Sequence, residues 1–284
     1  MKTTRYFHVD VFATAPLTGN SLTVFLETER WSADRMLELT REMKHFESIF
    51  LSEVTPVGAR ARVFTVEEEL PFAGHPVLGA AAVLHRVHAP TQNSASWTLR
   101  LPSGDVPVRT EQRDGHFLAE MNQGRAEIRD EPDPELLRPI LAALGLSSRD
   151  LTPALGARVI STGLAYLVLP VTREALARAS VLGTELEALL AAVGAKFVLV
   201  LDVDRPEIRT WDNLGRVEDV ATGSAAGPAA AFLFHRRLVD PLLPLEIAQG
   251  RFANRPSRLH VRLDGTGALH VSGEVWPVAQ GWLE

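Results

Sequence analysis

Two short stretches of the chain set an ionisable or hydroxyl side chain beside bare glycine backbone at the head of an apolar run. They are Phe72-Ala73-Gly74-His75-Pro76 and Asp219-Val220-Ala221-Thr222-Gly223-Ser224. The first four N–H groups of a helix have no partner within it, and the aligned peptide dipoles leave partial positive charge there. Each stretch can therefore receive a carboxylate, or negative charge that develops during a reaction. In the first, Pro76 suits the first helical position, Gly74 admits close approach to the backbone, and His75 sits at or beside the cap. In the second, Ser224 is a good N-cap, Gly223 exposes the backbone, and Asp219 lies a short turn upstream. Glycine, serine and proline also start helices that bind nothing, so the signal lies in the repetition.

The elements that must hold these turns are legible in outline. The segments that follow, VLGAAAVL and AAGPAAAFLF, are small or apolar on every side, which is the pattern of a helix buried all round. Alternating segments around them predict strands at 5–12, 21–27, 59–66, 157–161 and 164–169, with KFVLVLDV as a strong strand. Amphipathic helices are predicted over about 33–45, 134–144 and 183–192, the first capped by Ser32. Both halves run through strands, an amphipathic helix, strands, a glycine-rich turn, a buried helix and further strands. Aligning Gly74 with Gly223 lays one Ala-rich helix over the other, so the order predicts an internal duplication. The fold class expected is α+β, with two similar lobes, each a barrel-like, mainly antiparallel sheet around a central helix. The lobes are expected at 1–125, joined by 272–284, and at 126–271. Two such lobes side by side would aim both helix mouths into one cleft.

Bulk properties remove several classes of function. The chain has 284 residues, 46% hydrophobic and 23% charged, the make-up of a folded protein with a sizeable core. A formal charge of −6 leaves no electrostatic footprint for nucleic acid or an anionic membrane. The absence of cysteine excludes disulfides, thiolate metal sites and cysteine nucleophiles. No apolar run reaches the roughly 18–20 residues of a membrane span, and the N-terminus reads as a strand, so the expected location is cytoplasmic. His85 and His88 read as exposed helix-end residues without a carboxylate partner, so no metal is expected. DGTG at 264–267 reads as a hairpin turn.

At this level of detail the sequence resembles the PhzF-like isomerases of phenazine biosynthesis, which share the diaminopimelate epimerase-like fold. The resemblance is carried by DVFATAPLTGNSLTVF, KHFESIFL, RVFTVEEELPFAGHPVLGAA, VEDVATGSAAG and QGRFANRPSRLHV, in family order from about residue 5 to the C-terminus. It implies two α/β lobes with the active site between them, and a cofactor-free isomerase that acts as a homodimer on a small molecule carrying a carboxylate. The family's catalytic glutamate matches Glu47, its supporting histidine His75, and its aspartate and serine Asp219 and Ser224. Substrate contacts are expected from Asn20, Gly74 and Gly223. The related epimerases use two cysteines, which this chain lacks. Three positions depart from the family pattern: Ser21 and Val220 stand where proline is usual, and Pro228 should cost a hydrogen bond or push the second helix start onward.

The residues matched in this way would support a proton shift. Glu47 stands at the join of a helix and an apolar strand, where burial would raise its pKa and suit it to act as both base and acid. The resemblance implies isomerisation of trans-2,3-dihydro-3-hydroxyanthranilate. A double-bond shift in another unsaturated amino-acid-derived precursor, or a non-catalytic member that only binds small anions, remains open. A hydrolase using Ser224, His75 and Asp219 is disfavoured because no G-x-S-x-G elbow is present.

Overall fold

The computed structural model describes residues 3–283. The chain divides into two units, each treated by itself: one from the chain up to Asn122 with Arg255–Arg258 and the chain from Ser272 on, the other from Gln123–Asn254 with Leu259–Val271.

The first unit runs β1 (Thr4–Val11), β2 (Asn20–Phe25), α1 (Ala33–Met43), β3 (Glu47–Thr55), β4 (Gly58–Thr65), β5 (Glu69–Leu70), α2 (Gly74–His88), β6 (Ser94–Leu101), β7 (Gly104–Gln112) and β8 (Phe117–Gly124). The final strand, β16 (Leu269–Leu283), returns to it, pairing with both β8 and β1, so that eight strands close into a barrel, with β5 a short appendage on β4. Most neighbours are antiparallel, but β2–β3 and β4–β6 are parallel. A parallel pair cannot be joined by a hairpin and needs a crossover. Helix α1 is the crossover of the first pair and α2 that of the second.

Strand alternation separates what these two helices touch. On one face, Val9, Val11 and Leu22 press against α2 so closely that a Cβ on Gly79 would lie 2.4 Å from Leu22 Cδ2. On the other, Phe25, Phe50 and Phe64 pack under Met36 and Leu39 of α1, with the Phe25 and Phe50 rings stacked at 4.7 Å. Helix α2 is thus the axis of the barrel, buried from Gly74 through His85. His85 corrects the sequence expectation of an exposed residue. It is fully buried, with Nδ1 against the Thr110 hydroxyl (2.8 Å) and Nε2 against the Gln92 carbonyl (2.9 Å), and so ties the helix end to the barrel wall.

The second unit repeats the plan. It holds β9 (Glu127–Ile128), α3 (Pro134–Ala143), β10 (Arg158–Ser161), β11 (Ala165–Val171), α4 (Arg173–Arg178), α5 (Leu186–Ala192), β12 (Phe197–Asp202), β13 (Glu207–Arg209), α6 (Gly223–His235), β14 (Leu245–Gln249) and β15 (Ser257–Leu263). Here β11–β12 and β13–β14 are the parallel pairs, with α4–α5 and α6 as their crossovers. The short helix α4 lies outside the sequence expectation, which covered only α5. Pro228 does not displace the start of α6, which begins at Gly223 and carries the proline inside it. Among the described residues no helix is long and apolar enough to cross a membrane.

Candidate active site

The expected site residues fall into two groups, one in each unit. In the first, Asn20, Glu47, Gly74 and His75 come together at the start of α2. Glu47 is delivered there by a helix stop. Lys44 takes the left-handed conformation (φ 55°) that ends α1, and β3 begins three residues on. Glu47 then lies beside Leu22 in a parallel pair, which turns its side chain to the face that packs on α2.

Glu47 and His75 are 6% and 5% exposed. His75 Nδ1 lies 3.5 Å from Glu47 Oε2 and 3.4 Å from the Asn20 side-chain nitrogen. With the Asn20 amide nitrogen as donor, Nδ1 accepts and the imidazole hydrogen sits on Nε2. That Nε2 is buried without a protein partner. Burial, followed by the neighbouring His45, holds the His75 imidazole down to about 3, so at neutral pH it is uncharged. The Glu47–His75 contact is therefore not an ion pair, although its distance would allow one. Helix α2 begins at Gly74, which places His75 second and Pro76 third rather than first, and its N-cap, Ala73, offers no side-chain cap.

Two further clusters hold this group and were not singled out from the sequence. Asp10, fully buried, accepts from the Leu17 N–H (2.8 Å), the Ser21 hydroxyl (3.2 Å) and Arg255 (2.8 Å). Arg255 also donates to the carbonyls of Thr18 and Gly19. Together they clamp the turn that delivers Asn20, and the NRPS run containing Arg255 was the visible signal. The His8 and His45 rings lie 4.4 Å apart beside Asp10. Burial, then His8, then Arg255 lower His45 to about 4.

In the second unit, Asp219, Gly223 and Ser224 gather at the start of α6. Thr222, not Ser224, is the N-cap. Its hydroxyl donates to Asp219 Oδ2 (2.5 Å) and its N–H to Gln249 Oε1 (2.9 Å). The buried Gln249 amide donates in turn to the Asp219 carbonyl and the Thr222 hydroxyl, both at 2.9 Å. One residue upstream, Glu218 is held in a two-pronged pair by Arg209 (2.8 and 2.6 Å), which also donates to the carbonyls of Leu176 and Ala179. The carboxylate of Asp219 is thus set by a fixed loop. Ser224 is the second helical residue, and its Oγ lies 2.7 Å from the hydroxyl of Tyr166.

His75 Nδ1 faces Glu47 and Asn20, Ser224 pairs with Tyr166, and Asp219 with Thr222. Among the described residues no three His, Asp or Glu side chains are grouped to hold a metal.

Known proteins resemble the chain over almost its full length. The family model described as phenazine biosynthesis-like protein (PhzC-PhzF) matches residues 9–281. A trans-2,3-dihydro-3-hydroxyanthranilate isomerase of Pseudomonas aeruginosa is 35% identical, with 98% of each chain covered. A solved structure from Pseudomonas aeruginosa, described as a predicted epimerase, is 50% identical with a TM-score of 0.93 over 98% of each chain. A PhzF-family phenazine biosynthesis protein of Bacillus anthracis shares the fold, with a TM-score of 0.84 at 21% identity over the whole of both chains.

Proposed function

The chain belongs to the PhzC-PhzF family of phenazine biosynthesis-like proteins, and from that premise we propose that it is a cofactor-independent isomerase acting on an unsaturated cyclic amino acid. The supporting observation is the buried, uncharged His75 against Glu47 at the uncapped start of α2. A relative with 35% identity carries the name of trans-2,3-dihydro-3-hydroxyanthranilate isomerase, and that is the reaction type proposed here.

In this reading the start of α6 takes a carboxylate through backbone N–H groups and Ser224, and Glu47 with His75 carries the proton transfer. The Glu47 carboxylate removes a proton from one ring carbon, and the C–H electron pair moves into the conjugated system. The protonated Glu47, its acid hydrogen exchanging with solvent, then delivers a proton to a second carbon on that face, and the double bond shifts with no net change in protons or electrons. Negative charge that builds during the step spreads toward N–H donors already in place, so little reorganisation is required. His75 Nε2–H is a further donor, and Asp219 is the second acid/base group, facing the substrate's amine. The product feeds secondary metabolism, and the enzyme works as a homodimer. Light scattering on the purified protein tests the dimer directly.

Proton NMR in D₂O with trans-2,3-dihydro-3-hydroxyanthranilate tests the chemistry. Isomerisation with deuterium uptake by the wild type and none by Glu47→Gln is the expected result. Turnover by both would remove Glu47 from the mechanism. A second reading keeps the chemistry and changes the substrate to another unsaturated amino-acid-derived precursor. It is favoured by Ser21, Val220 and Pro228, which depart from the family pattern around both groups, and turnover of such a compound in preference to the first would select it.

A further inference from the structure

Ser224 is held from behind at two points. The carbonyl of Gly223 accepts a hydrogen bond from the Gln123 side chain at 2.7 Å. That carbonyl belongs to the same planar peptide as the Ser224 N–H, so fixing one fixes the direction of the other. The second point is the Ser224 hydroxyl, 2.7 Å from Tyr166 Oη. Tyr166 is 3% exposed and sits on β11, level with Phe197 of β12, its ring 5.5 Å from that of Phe197. Neither its ring nor its hydroxyl can swing away without disturbing the sheet.

A serine hydroxyl has one hydrogen and two acceptor lone pairs, and left alone it rotates to suit whatever approaches. A phenol is the more acidic partner of an alcohol, so in this pair Tyr166 donates and Ser224 accepts. The Ser224 hydrogen is then directed away from Tyr166. Ser224 thereby offers a ligand two donors, N–H and Oγ–H, and one of its two lone pairs is taken. Donors in a chain polarise one another, and a donor aimed at a charged oxygen makes a stronger bond than one aimed at a neutral oxygen.

We infer that Tyr166 is a positioning and specificity-determining residue: by occupying the Ser224 hydroxyl it makes the start of α6 select a carboxylate over its neutral amide. This rests on the reading that α6 receives the substrate's carboxylate. Gln123 assists by fixing the peptide, and its packing against α6 explains the glycine at 227, where a Cβ would lie 2.3 Å from Gln123 Oε1.

The test is calorimetric binding of 3-hydroxyanthranilate, a stable aromatic analogue, and of its carboxamide. It uses wild type, Tyr166→Phe, Ser224→Ala and the double variant, each checked for unchanged thermal melting. Wild type should prefer the carboxylate. Tyr166→Phe should weaken carboxylate binding about tenfold, near the upper end of what one neutral hydrogen bond contributes, and leave the carboxamide nearly unchanged. In the Ser224→Ala background Tyr166→Phe should have no further effect. A wild type with no preference would overturn the carboxylate reading and this inference with it. A preference lost in Ser224→Ala but intact in Tyr166→Phe would overturn the role of Tyr166 alone. Equal weakening of both ligands, persisting without Ser224, would make Tyr166 merely structural and would also overturn it.

Discussion

His75 Nδ1 lies 3.5 Å from Oε2 of Glu47, and the imidazole is neutral at physiological pH. A charged histidine there would lock Glu47 into an ion pair and leave it a poor base. A neutral one, bonded to Asn20, makes no ion pair with that carboxylate, and its Nε2 is buried without a protein partner. The pair is better described as two groups competing for a proton than as a salt bridge.

Replacing Glu47 by Gln keeps size and shape and removes the proposed base. Activity should fall at least 10²- to 10⁴-fold, the usual range for general acid–base catalysis, while thermal melting stays close to wild type. Steady-state kinetics beside a melting curve checks both halves of the statement.

His75→Asn should lower kcat by about 10²-fold, in the lower part of that range. More telling is the pH profile. Because His75 is held down to about 3, the wild-type rate should show no acid limb near 6.5 attributable to it. An acid limb near 6.5 that vanishes in His75→Asn would contradict the neutral assignment.

Acid stability should report the histidines whose titration is depressed in the fold. The folded-state values of His45 and His75 lie at about 4 and about 3, below the ordinary 6.5. As pH drops through 6.5 the unfolded chain takes up protons that the folded chain refuses, so stability declines from there until the folded groups titrate. His45→Phe should make the decline between pH 6.5 and 4 shallower. Urea midpoints across that window measure the slope, and an unchanged slope would count against the lowered titration of His45.

Arg255→Ala removes the counter-charge of a buried carboxylate. Breaking one partner of a buried pair costs roughly 3–5 kcal/mol, and the Thr18–Gly19 turn would lose its anchor as well. Adding Asp10→Asn should recover part of the loss, because the stranded charge is then gone. Denaturant unfolding of the single and double variants decides the matter.

Gly79→Ala opposes two effects. Alanine is favoured over glycine in a helix by about 1 kcal/mol, but its Cβ would sit 2.4 Å from Leu22 Cδ2 and 3.1 Å from Val11 Cγ2, both on fully buried side chains. Overpacking of that kind costs about 1–3 kcal/mol, so the substitution should destabilise on balance. A rise in melting temperature would show that the barrel wall yields more readily than its packing suggests.

Much of this molecule is readable before folding. The two axial helices announce themselves because a helix enclosed by a sheet must be small and apolar on every side, and both begin at the glycines singled out, Gly74 and Gly223. Strand alternation, the Ser32 cap and the turn chemistry are local properties, set by neighbours within a few residues. Glu47, His75, Asp219 and Ser224 stand out through the motifs that contain them.

What the chain alone does not disclose is which distant group each side chain meets. Ser224 and Thr222 are both good caps by composition, but the helix starts at Gly223, and Ser224, its second residue, meets the Tyr166 hydroxyl 58 residues away. Asn20 reaches His75 across 55 residues, and Arg255 reaches Asp10 across 245. His85 reads as a surface residue until barrel closure places it against Thr110. These pairings depend on strand register and on the return of β16 to β1, which set distances between segments that share no local pattern. Residue type and spacing determined the elements and the candidate chemistry. Closure of the sheets decided the partners, because a hydrogen bond needs two groups within about 3 Å, and only the tertiary fold brings groups so far apart in sequence to that distance.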